Sequence, residues 1–486
     1  MFDMANRLNK IVLWFLGALF FIILGVIIAT MNRGFDFQDE SFYLMCYSYP
    51  NVYQEGVSGF HVIIHTISAW LNPGIITYRV ETLLFTLVSS WAFWAGLRRW
   101  LSVHMPGGDA YIRPLFLFFV VFTGNFVHYF VGLQTINYNV LINSFIMASA
   151  GILLYLFSFP ASLVARTWRQ FLLTLIIGIL CWFSFVTKFS TGVLELVGFS
   201  GLVFVYYVRT SFRAFITIVS GIFLGVLVGA GLFFLFFQSL PSWWADFSAG
   251  YIEITKPTDH PPGLILQGYL QDINAMIWFA VFSFGWLAVY PILLLANKNL
   301  GNNKLFVLFR NVVIAAGLFW FCYRLIKMDI HRSNFIRNWN YRNGYIYPVI
   351  MGLQIMLLLV VAWQRRFNIV TLVKTRFHFF LVMVFLAFLP LLGTMGTSNQ
   401  LFLNLLFNAA SWFVFIALLA SLLGRYVSAT VAGLFIFVSF GFTASQIVDG
   451  NTFSPYFTAF RKAKTTIFQQ TAKAEEFPQL KGIYID

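Results

Sequence analysis

Asp36, Asp39 and Glu40 crowd three carboxylates into five residues directly after the first long apolar run. Like charges this close raise one another's pKa, and partial burial under aromatics raises them further, which is how a carboxylate becomes a usable general base. Asp39 is the expected base, with Asp36 in reserve. Much later, residues 324–342 carry Arg324, Lys327, Arg332, Arg337 and Arg342 with His331, offset by Asp329 alone. The chemistry open to guanidinium groups at that density is recognition of anionic oxygens.

The elements that must position these groups follow from composition. The 486 residues are 60% hydrophobic and only 10% charged, too apolar for a packed globule with a polar surface. The apolar runs are long and continuous rather than dyad-patterned, which excludes an outer-membrane barrel and leaves helices. The chain therefore reads as an all-α polytopic membrane protein of about thirteen transmembrane helices. Windows of suitable hydropathy fall near 11–31, 80–97, 115–134, 140–160, 171–187, 190–208, 214–237, 276–296, 305–323, 345–363, 377–393, 401–423 and 426–442.

The formal charge of +14 reflects basic cytoplasmic turns and attraction to anionic headgroups, with no nucleic-acid partner implied. With the amino terminus inside, Arg7 and Lys10, Arg98 and Arg99, Arg113, Arg166 and Arg169, Arg209 and Arg213, Lys298 and Lys304, Arg365, Arg366, Lys374 and Arg376, and Arg425 all face the cytoplasm. The loops at 32–79, 238–275, 324–344 and 394–400 then face outward, as does a tail at 443–486. Residues 1–442 form one transmembrane domain on this reading. The basic loop at 324–344 breaks the positive-inside rule and so needs a cause of its own.

An Asp-Glu pair in the first outer loop of a helical, odd-span chain resembles the GT-C superfamily of membrane glycosyltransferases, such as the protein O-mannosyltransferases and the aminoarabinose transferases of lipid A. Four further stretches are similar to that superfamily in the same order. Phe60-His61-Val62-Ile63-Ile64-His65-Thr66-Ile67-Ser68-Ala69-Trp70 resembles its amphipathic interfacial helix, and Thr77-Tyr78-Arg79-Val80 its Arg-containing start of the second span. Ile136-Asn137-Tyr138-Asn139-Val140-Leu141 resembles its aromatic-Asn segment, and Phe185-Val186-Thr187-Lys188-Phe189-Ser190-Thr191-Gly192 its Lys-containing outer turn. The His-Pro-Pro string that many relatives carry soon after the acidic pair stands here at His260-Pro261-Pro262. The resemblance spans roughly the first 210 residues.

The resemblance implies a GT-C-like fold and inverting transfer of a sugar from a polyprenyl-phosphate donor to a lipid, glycan or protein acceptor. The reaction would occur at the outer face of a cytoplasmic membrane, toward the periplasm or exterior. Such a donor needs an acceptor hydroxyl deprotonated or oriented and a departing phosphate neutralised. Asp39 is then the base, and Glu40 orients the acceptor or tunes Asp39. Arg332 and Arg337 lead the phosphate contacts, with Arg324, His331 and Arg342 beside them, and Arg79 and Lys188 complete the clamp. Tyr138 and Asn139 join the substrate-binding set. No particular cofactor is implied; an acidic pair offers oxygen ligands to a divalent cation, so metal dependence stays open.

Several other features have bland explanations. His61 and His65 fit one face of an interfacial helix, and two such residues do not make a metal site. Trp243, Trp244 and Asp246 read first as a membrane-interface anchor, with stacking on a sugar as the second reading. Gly393-Thr394-Met395-Gly396-Thr397-Ser398-Asn399 suits a tight turn as well as backbone donation to a phosphate. Other functions consistent with parts of the pattern are a surface-polysaccharide polymerase or ligase and, more remotely, a secondary transporter with Glu195 as its intramembrane carboxyl.

Overall fold

The computed structural model describes residues 2–32, 39–50, 58–71, 73–105, 114–131, 134–164, 167–208, 210–254, 262–284, 303–326, 369–396 and 401–422, with a few positions between 351 and 362. Every regular element among them is helical. In hydrocarbon an open strand edge would leave backbone groups without partners, so a chain this apolar closes its hydrogen bonds within helices.

In order these are α1 (Phe2–Thr30), α2 (Asp39–Ser48), α3 (Phe60–Ser68), α4 (Ile75–His104), α5 (Pro114–Asn125), α6 (His128–Val131), α7 (Tyr138–Phe157), α8 (Ala161–Val164) and α9 (Trp168–Thr187). There follow α10 (Phe189–Tyr207), α11 (Phe212–Phe236), α12 (Leu240–Ile254), α13 (Pro262–Phe284), α14 (Lys304–Ile326), α15 (Ile369–Thr375), α16 (Phe377–Thr394), α17 (Leu401–Leu405) and α18 (Ala409–Leu422). Short 3₁₀ turns at Ala69–Leu71 and Leu406–Asn408 extend α3 and join α17 to α18.

Seven of the described helices are long and apolar enough to cross a membrane: α1, α4, α7, α9, α10, α11 and α16. The chain is thus an all-α, multi-pass membrane protein. Spans expected at 345–363 and 426–442, and the tail at 443–486, lie wholly or largely outside the described residues.

Three expectations need correction. The single span expected at 115–134 is broken after Asn125, where the His128 imidazole Nδ1 bonds the Asn125 carbonyl at 2.6 Å and so satisfies a backbone group freed by the break. The outer loop expected at 238–275 is mostly helix, since it holds α12 and the first part of α13. The span expected at 401–423 is interrupted by the 3₁₀ turn at Leu406–Asn408.

The bundle has two poles. At one, the carbonyl of Met31 after α1, the first turn of α4, the segment before α7, the α9–α10 turn and the end of α16 are tied together by side chains. At the other, the ends of α4, α7 and α10 meet the start of α16. There the Tyr206 hydroxyl donates to the Phe157 carbonyl at 3.1 Å, the His104 Nε2 lies 3.1 Å from that hydroxyl, and His378 Nε2 bonds the Tyr206 carbonyl at 3.2 Å. Arg98, Arg99, Arg169, Arg213, Lys374 and Arg376 all sit in helix ends at this second pole. Between these poles α4, α7 and α10 run one way and α9 and α16 the other.

Backbone contact, not only side-chain burial, holds the centre. A Cβ at Gly96 of α4 would lie 1.8 Å from the Gly151 carbonyl oxygen of α7, and a Cβ at Gly151 would lie 2.4 Å from the Ala92 oxygen. Small residues at such crossings let helices without a hydrophobic driving force between them gain dispersion contacts instead. Gly151→Ala therefore forces backbones apart and should cost about 1–3 kcal/mol, read as a lower thermal midpoint of the detergent-solubilised protein. Gly201→Ala, whose Cβ meets nothing within 4 Å, should stay level or gain about 0.5–1 kcal/mol from helix propensity. Equal midpoints for the two variants would refute the close-packing assignment.

Candidate functional site

Asp39 is the first residue of α2, and Glu40 the second. Glu40 is 2% exposed and faces Arg79 of α4, also 2% exposed. Arg79 Nε and Nη2 donate to Glu40 Oε1 at 3.2 and 3.1 Å, and Nη2 donates to Oε2 at 2.8 Å. The remaining guanidinium nitrogen donates to the Met31 carbonyl at 2.9 Å, and the Thr135 hydroxyl donates to Glu40 Oε1. A planar fork meeting a carboxylate along two edges is the geometry that offsets desolvation of both charges.

This pairing changes the part assigned to Arg79. The cation expected at the start of the second span and in the phosphate clamp is a buried residue near the start of α4 that donates to Glu40 and Met31. The Glu40 carboxylate is likewise held from two sides. One interaction fastens α1, α2, α4 and the segment before α7 at a single point, with Asp39 next to it in sequence.

Aromatic rings and two histidines hold α2 and α3 in place. The Tyr47 hydroxyl donates to the Ile136 carbonyl at 2.5 Å, and its ring lies 4.8 Å from that of Tyr78. Phe60 packs edge-on to Tyr43 at 5.5 Å and to Tyr138 at 6.0 Å. The His65 Nδ1 bonds the Tyr47 carbonyl at 2.7 Å. His61 is buried, and that burial pushes its pKa down to about 4. Among the described residues no group of three or more His, Cys, Asp or Glu side chains is placed to hold a metal.

Asn137, not Asn139, shapes the start of α7: its side chain accepts from the Asn139 and Val140 amides at 3.0 and 3.2 Å. This is an N-cap, and an Asn before an apolar helical run was a readable signal for it. Tyr138 and Asn139 are half-buried beside it. Thr135 carried no such signal, because its partner is 95 residues away.

Lys188 is the single extended residue between α9 and α10, with φ −155° and ψ 102°. Its ammonium donates to the Gly393 carbonyl at 2.8 Å, in the last turn of α16. Burial lowers its pKa to about 7. It has no carboxylate partner among the described residues, and the helix C-terminus it touches is the end that favours a cation.

The neighbouring carbonyls are also taken: Tyr269 donates to Thr394 and Ser190 to Met395, both at 2.7 Å. The turn, for which a plain tight turn and backbone donation to a phosphate stood equal, presents acceptors at residues 393–395, and Gly396 turns it with φ +83°. Residues 397–399 lie outside the described residues.

Of the basic loop, only Arg324 falls in a described helix, the last turn of α14; His331, Arg332, Arg337 and Arg342 lie outside the described residues, as does Asp36. In α12, Trp243 is buried against Trp182 and Phe247, whereas Trp244 is 60% exposed. Asp246 accepts from Gln238 at 2.5 Å, and burial raises its pKa. Glu195 is fully buried in α10, where Ser184 of α9 donates to its Oε1 at 3.0 Å.

Arg79→Met would leave Glu40 buried without its counter-charge and should cost about 3–5 kcal/mol. Thermal unfolding in detergent reads the loss. The double variant Arg79→Met with Glu40→Gln should recover much of it, and a double no better than the single would count against the pairing as the source of stability.

No protein-family model matches the sequence, and neither the curated proteins nor the solved structures include a significant match, so the case for a function rests on the chemistry of this pole.

Proposed function

We propose that the protein is an integral-membrane glycosyltransferase of GT-C type that moves a sugar from a polyprenyl-phosphate carrier to an acceptor hydroxyl at the pole holding α2. The observation that carries this reading is the Glu40–Arg79 clamp, which fixes the start of α2, and with it Asp39, at the same pole as the ammonium of Lys188. A base position and an anion-binding position at one end of a membrane bundle are what a phosphate-activated lipid donor requires.

In this mechanism the Asp39 carboxylate takes the proton of the acceptor hydroxyl. The oxygen attacks the anomeric carbon from the face opposite the phosphate, forming the new glycosidic bond with inversion. The bond from that carbon to the phosphate oxygen breaks, and the electron pair leaves with the carrier phosphate. Lys188 neutralises that charge together with Arg332 and Arg337 of the basic loop. Arg79 acts at one remove, compensating Glu40, which keeps the pair from competing with the phosphate and sets the position of Asp39.

The distribution of charge supports placing the reaction outside the cell membrane. The opposite pole gathers the Arg and Lys residues that mark a cytoplasmic side, which leaves the α2 pole facing the periplasm or exterior. The acceptor is a lipid, a glycan or a protein carrying a hydroxyl.

Asp39→Asn should lower sugar transfer by about 10²–10⁴-fold with the protein still in the membrane, measured with purified protein and lipid-linked donor; retained turnover would remove the base. Lys188 supplies a second check. With its pKa near 7, it is mostly charged one unit below neutrality and mostly neutral one unit above. Affinity for a polyprenyl phosphate should fall as pH rises through that window, and Lys188→Met should flatten the profile. A wild-type profile as flat as that of the variant would exclude Lys188 from the clamp.

A further inference from the structure

The 3₁₀ turn at Leu406–Asn408 sits where α5, α6, α7, α16, α17 and α18 come together, and the side chains around it are polar, buried and incompletely bonded. Asn404 is 3% exposed, and among the described residues neither its Oδ1 nor its Nδ2 has a partner. Asn408, 1% exposed, leaves its Oδ1 unbonded, and Asn143 of α7, fully buried, does the same.

His128 completes the set. Its Nδ1 is spent on the Asn125 carbonyl, so in the neutral ring Nε2 is an acceptor, and that atom too has no partner. The ring stacks on Phe407, with centroids 6.2 Å apart and planes at 18°. Asn125 bridges the cluster to the helices behind it, accepting from Asn143 and donating to Ser90, both at 2.8 Å.

A native bundle rarely leaves this many buried polar atoms unpaired in one place unless something outside the chain pairs them. The chemistry of that missing partner can be read from the atoms. Three side-chain oxygens and an imidazole nitrogen accept, and one amide donates, with no charge among them. Such a set repels a phosphate and matches a group rich in hydroxyl donors.

The place is informative as well. A Cβ at Gly393 would lie 3.2 Å from Asn408 Nδ2 and 3.6 Å from Ile142, and the Gly393 carbonyl is the one held by Lys188. Asn408 therefore lies beside the turn whose carbonyl holds the cation proposed for the carrier phosphate.

From this juxtaposition of unpartnered Asn404, Asn408, Asn143 and His128 beside Lys188, we infer that the junction is the seat of an uncharged, polyhydroxylated ligand, the sugar of the lipid-linked donor, which hydrogen-bonds to these four side chains. The inference rests on the glycosyltransferase reading and adds to it the division of the donor between a cationic and a neutral acceptor-rich part.

The test uses the full chain in lipid nanodiscs and two probes, undecaprenyl phosphate and the same lipid carrying glucose, with binding read by native mass spectrometry. Asn404→Leu should weaken a glycosylated lipid about tenfold, as for the loss of a hydrogen bond in a dry site, and leave undecaprenyl phosphate unchanged. His128→Phe should do the same, whereas Lys188→Met should weaken every probe.

Because the Asn404 amide has no partner among the described residues, Asn404→Leu should also keep or raise the thermal midpoint, which a purely structural asparagine would not allow. Equal effects of Asn404→Leu on glycosylated and bare lipid, or no effect on either, would overturn the sugar seat while sparing the wider reading. Failure of the wild type to bind any of these lipids would overturn both.

Discussion

The buried pair of Glu40 and Arg79 is the constraint on which the pole depends. Two charges cannot leave water for the end of a membrane bundle unless nearly every donor and lone pair is matched, and here they are matched by each other, by Thr135 and by a backbone carbonyl. Those partners come from four separate parts of the chain. The pair thus converts an electrostatic requirement into geometry: α2 has one place to be, and Asp39 begins it. A carboxylate meant to act as a base gains from a neighbour whose own charge is already cancelled, since an uncompensated second carboxylate would disfavour ionisation of the first.

The same economy explains where the chain departs from regular helix. Within a span, backbone groups are satisfied by the helix itself, so side chains able to do chemistry come from the ends, where that pattern stops. Lys188 occupies the one extended residue between α9 and α10, Asn137 the cap of α7, and Asp39 the start of α2. His128 follows the interruption after α5, and Asn404 precedes the 3₁₀ turn before α18. Non-helical backbone at the depth of a bilayer persists only when it is packed in protein or lines a polar space. Two such interruptions facing one another, with the His128 ring on Phe407 between them, concentrate polar atoms where the surrounding residues are apolar.

Much of the helical plan was legible in the sequence because hydropathy in a membrane chain is a strong, local signal. The spans at 140–160, 171–187, 190–208, 214–237 and 377–393 correspond to α7, α9, α10, α11 and α16 within a few residues. The break in 115–134 was hidden because Phe126 and Val127 are as apolar as their neighbours; the bond from His128 that satisfies the freed Asn125 carbonyl is not registered by hydropathy. The helices within 238–275 were read as loop because their polarity suits neither a core nor a span. Asp39, Glu40, Arg79 and Lys188 were legible as chemistry by type and spacing. That Arg79 belongs to Glu40 was not, since 39 residues separate them and a cation at a predicted membrane boundary looks equally suited to lipid phosphate.

Arg79 and Lys188 show why charge alone does not identify a binding residue. Both are cations at the same pole, but one has its donors matched to a carboxylate and a carbonyl, while the other meets a single carbonyl at a helix C-terminus. A ligand that competed for Arg79 would have to strand Glu40 in a site of low polarisability, at a cost no single phosphate contact repays. Among the described residues no charged group pairs with the Lys188 ammonium, so an anion there would displace none of them. The state of pairing, more than position or exposure, therefore separates the two cations: Arg79 builds the pole, and Lys188 is the one proposed to act in it.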